Sequence, residues 1–156
     1  MRKRVIGQIE KGSEPSGDWL NVEELADVEI TSEDVAYPIE AALVPGGTSG
    51  WRAAGPGKQT IRLLFANPQP LRRIWLNFLE TRTGRTQEYV LRWSSDGGQS
   101  FREIVRQQWN FSPDGATNQT EDHHVELPAV TVLELSIIPD TSGGPALASL
   151  AQLRLA

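Results

Sequence analysis

The chain has 156 residues, which is enough for one domain with a buried core and too few for two domains of ordinary size. Hydrophobic residues make up 38%, and the 14 glycines and 10 prolines favour short strands joined by turns over long helices. A net charge of −5 argues against nucleic acid or an anionic membrane as a partner. The absence of cysteine excludes disulfides and thiolate metal sites.

The first 18 residues are predicted to form an N-terminal arm or linker, and residues 19–156 a single domain. Residues 11–18 are polar and rich in glycine, serine and proline. The basic residues Arg2, Lys3 and Arg4 are not followed by the apolar stretch of a secretory signal, and no apolar run has the length of a membrane span. We therefore expect a cytoplasmic protein with no membrane partner.

The predicted elements are short and mostly extended. Asn21 is predicted to cap a helical turn over residues 22–26, with Glu24 in the capping-box position. Val28 and Ile30 alternate with polar residues and indicate a first strand. The same period-2 pattern predicts strands at residues 60–65, 71–80, 123–127, 132–138 and 147–155. About eight antiparallel strands without a long helix are typical of an all-β sandwich.

The clearest local pattern is a β-hairpin between residues 85 and 105. Tyr89, Leu91 and Trp93 alternate with Val90 and Arg92, as the residues of a strand do. Residues 94–98, Ser-Ser-Asp-Gly-Gly, predict a turn because Asp-Gly and Gly-Gly tolerate positive φ, and residues 101–105 predict the returning strand. The phase of the first strand places Trp93 in the core.

The hairpin resembles a motif of the discoidin-like, or galactose-binding-like, domain family. Residues 89–97 are similar to the family's Tyr-x-Val-x-x-Ser-x-Asp-Gly sequence. Trp51 follows a glycine-rich loop, where the family has a tryptophan that plugs the loop end, and residues 133–139 and 148–150 look like the closing strands. The resemblance covers about residues 39–156 and implies a jelly-roll β-sandwich that serves as a binding module.

No cofactor or metal is predicted. Many members of the resembled family hold a structural calcium through the loop before the tryptophan and a Glu in the last strand, but residues 44–48 contain no acid and the late position is Gln152 or a neighbour. His123 and His124 are adjacent, so a strand directs them to opposite faces and they cannot easily share one ion.

The ligand-binding prediction rests on Trp109, Arg106, Gln108 and Arg85. Trp109 begins a predicted loop over residues 109–120, and an exposed indole beside planar hydrogen-bonding groups suits the apolar face and hydroxyl rim of a sugar. The same polar cluster is also consistent with a loop anchored by its own side-chain bonds. For Arg85, a surface ion pair with a nearby glutamate is the alternative.

The leading hypothesis is a non-catalytic module that binds carbohydrate through loops at one end of the sandwich. The chain has no nucleophile elbow, phosphate loop or dinucleotide fingerprint, so we predict no enzyme. The alternative is an intracellular protein-interaction or assembly domain, in which Trp75 and residues 82–85 form a subunit contact. The ligand's identity and the oligomeric state stay open.

Overall fold

The computed structural model describes residues 17–46 and 49–156, and these residues are mostly in strands. Residues 1–16 of the predicted arm lie outside the described residues, so the boundary at residue 18 stays a prediction. The elements in chain order are α1 (Val22–Leu25), β1 (Ala26–Ile30), α2 (Glu40–Leu43), β2 (Trp51–Pro56), β3 (Gln59–Leu79), β4 (Arg85–Ser94), β5 (Arg102–Phe111), β6 (Asn118–Ile138), β7 (Leu147–Leu150) and β8 (Gln152–Leu155). No helix among the described residues is long and apolar enough to cross a membrane.

The two long strands β3 and β6 run through both layers of the sandwich. They pair antiparallel over residues 59–64 of β3 and again over residues 73–79, and register shifts separate the two segments. In the first layer β1 and β4 flank this pair and β5 lies beyond β4; in the second layer β8 flanks β3. β2 and β7 form a separate antiparallel pair. Strands that bend from one sheet into the next are a standard way to build such a sandwich.

The core lies between the two layers, as the alternation predicts. Phe78 of the second layer packs against Tyr89 of the first, with ring centroids 5.3 Å apart. Inward-facing residues with at most 3% of their surface exposed include Ile61, Leu63, Ile74, Leu76, Tyr89, Leu91, Leu135, Ile137, Leu153 and Leu155. The predicted all-β, galactose-binding-like jelly roll is therefore confirmed in its architecture.

The predicted hairpin is also confirmed, because β4 and β5 pair directly across the turn at residues 95–101. Tyr89 and Leu91 are fully buried, whereas Trp93 packs against the core and is only partly buried. A register shift after Leu91 leaves one extra residue on β5, and such a bulge bends the strand pair near its end. The phase predicted for Trp93 is correct, but its burial is less complete than predicted.

Two predictions about the connecting segments are wrong. The side chain of Asn21 makes no capping bond; its backbone carbonyl closes the turn by accepting the N–H groups of Glu24 and Leu25. Residues 109–111 belong to β5 and β6 begins at residue 118, so the predicted loop over residues 109–120 is only six residues long. Pairing with β4 extends β5 through a polar sequence that lacks an apolar alternation.

Alternating charges cross the outward face of the first layer. Arg62, Glu134 and Arg92 lie side by side on β3, β6 and β4. The Glu134 side chain is 1% exposed, and its carboxylate accepts hydrogen bonds from Arg62 Nε at 2.8 Å and Arg92 Nε at 2.9 Å. Burial raises the pKa of Glu134, but the two guanidinium groups outweigh burial and hold its pKa below the ordinary value. An ionised carboxylate therefore joins three strands.

Candidate functional site

Several loops meet at the end of the sandwich that lies opposite the C-terminus. The Glu80 N–H donates to the Thr117 carbonyl at 2.9 Å, which joins the β3–β4 loop to the β5–β6 loop. The β7–β8 junction joins the same end, because the Ala151 N–H donates to the Asn77 carbonyl at 2.9 Å. The C-terminal Ala156 is bonded to the backbone of Arg73, at the other end of the second paired segment of β3.

A groove of about 310 Å³ opens among these loops, and we call it the loop-end groove. It is lined by Tyr37, Ser49, Trp51, Arg52, Leu79, Glu80, Thr81, Arg82, Ser149, Leu150 and Ala151. Its lining combines an aromatic ring, a carboxylate, two guanidinium groups and hydroxyls. A wider depression at the opposite end, which includes Arg72 and His124, contains no Tyr, Trp or Phe among its lining residues.

Trp51 forms the base of the groove. Only 1% of its surface is exposed, and its indole Nε1 donates to the Ser32 carbonyl at 3.0 Å. The preceding residue Gly50 has a φ of +69°, and a Cβ there would lie 2.7 Å from the Leu150 carbonyl oxygen. A glycine is therefore required for the chain to turn closely past β7 into Trp51. The predicted role of Trp51 as a plug at the loop end agrees with this burial.

Tyr37 and Arg52 form a stacked pair on one side of the groove. The Arg52 guanidinium carbon lies 4.4 Å from the centroid of the Tyr37 ring. The backbone fixes this pair, because the Arg52 N–H donates to the Tyr37 carbonyl at 3.1 Å and the Asp34 N–H donates to the Arg52 carbonyl at 2.8 Å. A cation stacked on an aromatic face is held by the ring quadrupole. The ring and the guanidinium are therefore held in one arrangement before any ligand binds.

Glu80 supplies the carboxylate of the groove. Its Oε1 accepts a hydrogen bond from Arg85 Nε at 2.8 Å, and its Oε2 accepts one from the Arg82 backbone N–H at 3.2 Å. Burial raises the pKa of Glu80, but these hydrogen bonds and the charge of Arg85 outweigh burial and lower the pKa overall. The carboxylate is therefore ionised and fixed in direction at neutral pH.

The four predicted ligand-binding residues do not lie together. Residues opposite each other in an antiparallel pair share a face, and Trp109 lies opposite Gln87, which is fully buried. Arg106 and Gln108 lie opposite Val90 and Glu88 on the outward face. The sheet therefore separates Trp109 from Arg106 and Gln108. The sequence predicts one loop for these residues, and in a loop successive side chains do not alternate between two faces.

The exposed residues of this set are engaged by neighbours or lie away from the groove. Arg106 donates to Glu88 Oε1 at 3.0 Å and to Glu103 Oε1 at 2.9 Å, and the hydrogen bonds that it donates to these carboxylates raise its pKa. Gln108 is exposed on the same outward face. Trp109 is partly buried against the core, and its Nε1 is buried without a hydrogen-bond partner among the described residues. An inward indole of this kind packs the edge of the sandwich.

Arg85 is buried rather than exposed. Its side chain donates from Nη1 to the Pro139 carbonyl at 2.7 Å and to Gln87 Oε1 at 3.2 Å, and it stacks on Phe111 at 4.8 Å. Since the guanidinium has no exposed surface, a ligand in solution cannot reach it. The predicted ion pair with Glu80 is present, but inside the protein. Arg85 therefore acts on the groove only by holding Glu80.

The residues that the sequence analysis missed are Tyr37, Arg52 and Glu80. Tyr37 and Arg52 belong to segments without strong periodicity, and the backbone bonds between them bring the two segments together. The sequence predicted Arg82 only as part of a subunit contact. Trp51 was the available signal, because a buried tryptophan at a loop end marks where flanking loops converge.

Trp75 does not offer a contact surface. It is out of phase with the core residues Ile74, Leu76 and Phe78 of β3, but it is only 3% exposed. The subunit contact proposed for Trp75 therefore lacks the exposed aromatic on which it depended.

His123 and His124 lie on opposite faces of β6, and the Tyr89 hydroxyl is 2.7 Å from His123 Nε2. Burial lowers the pKa of His123, and its carboxylate neighbours oppose this shift only in part.

The calcium site implied by the resemblance does not fit the described residues. The carbonyl oxygens of Ala42 and Val44, in and just after α2, accept hydrogen bonds from Arg154 Nη1 at 2.8 Å and Nη2 at 3.0 Å. Arg154 comes from the last strand and is 2% exposed. A guanidinium is itself a cation, so a calcium ion near these carbonyls would meet a like charge. Gly47 and Thr48 of the same loop lie outside the described residues.

Comparison with known proteins gives the fold a family context. No family model matches the chain, and no curated protein is similar to it in sequence. Its structure is similar to a family 32 carbohydrate-binding module of C. perfringens NanJ solved with galactose, with a TM-score of 0.65 and 16% identity over 88% of this chain and 96% of that one. A second C. perfringens module, solved with GalNAc-β-1,3-galactose, has a TM-score of 0.63 and 19% identity, and the match covers 88% of this chain and 99% of that one.

A chitosan-binding module from a chitosanase/glucanase of Paenibacillus sp. IK-5 gives a TM-score of 0.64 and 16% identity, covering 88% of this chain and 98% of that one. At such identities the similarity shows the fold. The chain therefore has the discoidin-like, galactose-binding-like β-sandwich, as the sequence motifs predict.

Proposed function

We propose that this protein is a carbohydrate-binding module whose binding site is the loop-end groove. The observation that carries the proposal is the groove itself, in which Tyr37, Arg52 and Glu80 are fixed by internal bonds. Sugars bind where an aromatic ring lies beside directional donors and acceptors, since each ring has apolar faces and a rim of hydroxyls. The similar structures solved with sugars support the same conclusion.

We propose binding without catalysis. Hydrolysis of a glycosidic bond ordinarily needs two carboxyl groups about 5–10 Å apart across the scissile bond. Glu80 is the one carboxylate among the residues that line the groove, and each of its two oxygens already accepts a hydrogen bond inside the protein. A shallow site with few contacts gives an affinity of about 4–7 kcal/mol, which corresponds to dissociation constants from about 1 mM to about 10 μM.

A glycan array followed by titration calorimetry tests this proposal. Tyr37→Ala removes the aromatic ring of the groove and is expected to weaken sugar binding at least tenfold, or about 1.4 kcal/mol. Phe101→Ala is the matched control, because Phe101 stacks on Arg92 at 4.9 Å in a comparable pair away from the groove. Equal losses in the two variants, or a wild-type protein that binds no glycan at a ligand concentration of about 10 mM, roughly ten times the weakest dissociation constant expected, would refute the proposal.

Light scattering on the same samples tests the alternative of an assembly domain. The alternative predicts a concentration-dependent oligomer that is unaffected by sugar. A monomer that binds sugar supports the carbohydrate-binding module.

A further inference from the structure

We propose that the loop-end groove selects sugars that carry a carboxylate, such as uronic acids, over neutral sugars. This inference rests on the proposed carbohydrate-binding function and names the ligand class of the same site. Two arginines line the groove, Arg52 and Arg82, and neither forms an ion pair with a carboxylate among the described residues.

Most of the charge of Glu80 is compensated from inside the protein. The buried Arg85 lies 2.8 Å from its carboxylate, on the side away from solvent. This pair is close to neutral, so the charges of Arg52 and Arg82 remain uncompensated at the surface of the groove. A site with two free cations and one neutralised acid favours an anionic ligand.

The nearest acidic residues on the adjoining loop are occupied by the backbone. Glu33 Oε2 accepts the N–H of Ile39 at 2.9 Å, and Asp34 Oδ1 accepts the N–H of Ala36 at 2.9 Å. Both carboxylates are therefore directed into their own loop. Neither carboxylate forms an ion pair with Arg52, whose guanidinium stacks on Tyr37.

Several other arginines on the surface form ion pairs with carboxylates. Arg62 and Arg92 share Glu134, Arg73 pairs with Asp122 at 2.6 Å, and Arg106 holds two glutamates. The two arginines of the groove differ from these because both line one concave site and neither forms an ion pair within the described part of the chain, while the acid beside them, Glu80, is paired with the buried Arg85. A guanidinium presents a planar fork of donors that matches a carboxylate in two hydrogen bonds.

The test compares three oligosaccharides of equal length by titration calorimetry: tetragalacturonate, its full methyl ester and a neutral galactotetraose. The free acid is expected to bind the wild-type protein about tenfold more tightly than the ester. Raising the salt concentration to about 0.5 M is expected to reduce this ratio, because screening weakens exposed ion pairs.

Arg82→Gln is expected to bring the acid-to-ester ratio close to one, because it weakens the binding of the free acid far more than that of the ester. Arg72→Gln is the matched control, since Arg72 is exposed at the opposite end of the sandwich and is expected to leave the ratio unchanged. If acid and ester bind equally, selection of acidic sugars is wrong and the carbohydrate-binding function stands. If none of the three binds and the glycan array is blank, both proposals are wrong.

Discussion

Arg154 provides the sharpest test of how the loop beside the groove is held. The residue is 2% exposed, and its guanidinium donates from Nη1 to the carbonyls of Ala42 and Leu153 at 2.8 Å and from Nη2 to that of Val44 at 3.0 Å. We predict that this internal cation holds the segment around α2 in place without a metal ion. Arg154→Met keeps the length of the side chain and removes the donors.

The expected loss follows from the acceptors that are left behind. A buried carbonyl that loses its donor costs about 1–3 kcal/mol, and the carbonyls of Ala42, Val44 and Leu153 each lose one. Removing a buried charge relieves its desolvation and offsets part of this cost. We expect a net loss of about 3 kcal/mol, which for a domain of this size lowers the melting temperature by roughly 6–12 °C.

The assay is thermal unfolding followed by circular dichroism, with and without excess chelator and with added calcium chloride. The wild-type melting temperature is expected to be the same in all three conditions. Arg72→Met serves as the control for loss of an exposed arginine, and it is expected to change stability by less than about 0.5 kcal/mol. A wild-type protein that loses several degrees in chelator, or an Arg154→Met variant that melts like the control, would contradict the reasoning.

Three further predictions concern the other polar and aromatic positions. The pKa of Glu134 is lower in the folded chain than its ordinary value, so its stabilising effect is present above about pH 4.3 and is lost as the pH falls through the folded pKa. Glu134→Gln should therefore reduce the loss of stability at acid pH, as measured by urea unfolding across a pH series. Hydrogen bonds from Ser100 and Ser94 hold the pKa of Asp96 well below its usual range, so its carboxyl carbon should still show the NMR shift of an ionised group near pH 3. Trp109→Ala should cost about 2 kcal/mol of unfolding free energy while sugar binding is unchanged, and a variant that keeps its stability but loses the sugar would restore Trp109 to the binding site.

The sequence by itself determined the architecture and much of the core. The alternation of Tyr89, Leu91 and Trp93 before an Asp-Gly-Gly turn predicts the β4–β5 hairpin, because a strand directs successive side chains to opposite faces. Trp51 after a glycine-rich loop predicted the plug at the loop end. The cytoplasmic location and the domain boundary stay predictions.

The functional residues were less accessible to the same reasoning. The polar run around Trp109 has no apolar alternation, so the sequence predicts a loop there. It does not indicate how the residues of this run divide between the two faces of a sheet. Only the pairing of β5 with β4 showed that Trp109 faces inward while Arg106 and Gln108 face outward. Pairing is a contact between distant segments, and the local sequence does not record it.

The groove and the internal cation were decided by the tertiary structure alone. Arg52 is placed by its stacking on Tyr37, Glu80 by the buried Arg85, and Arg154 by carbonyls more than a hundred residues earlier in the chain. Periodicity depends on neighbouring residues and can be predicted from them. Which loops converge, and which charges then find partners, depends on how the two layers pack, and that arrangement exists only once the whole sandwich has formed.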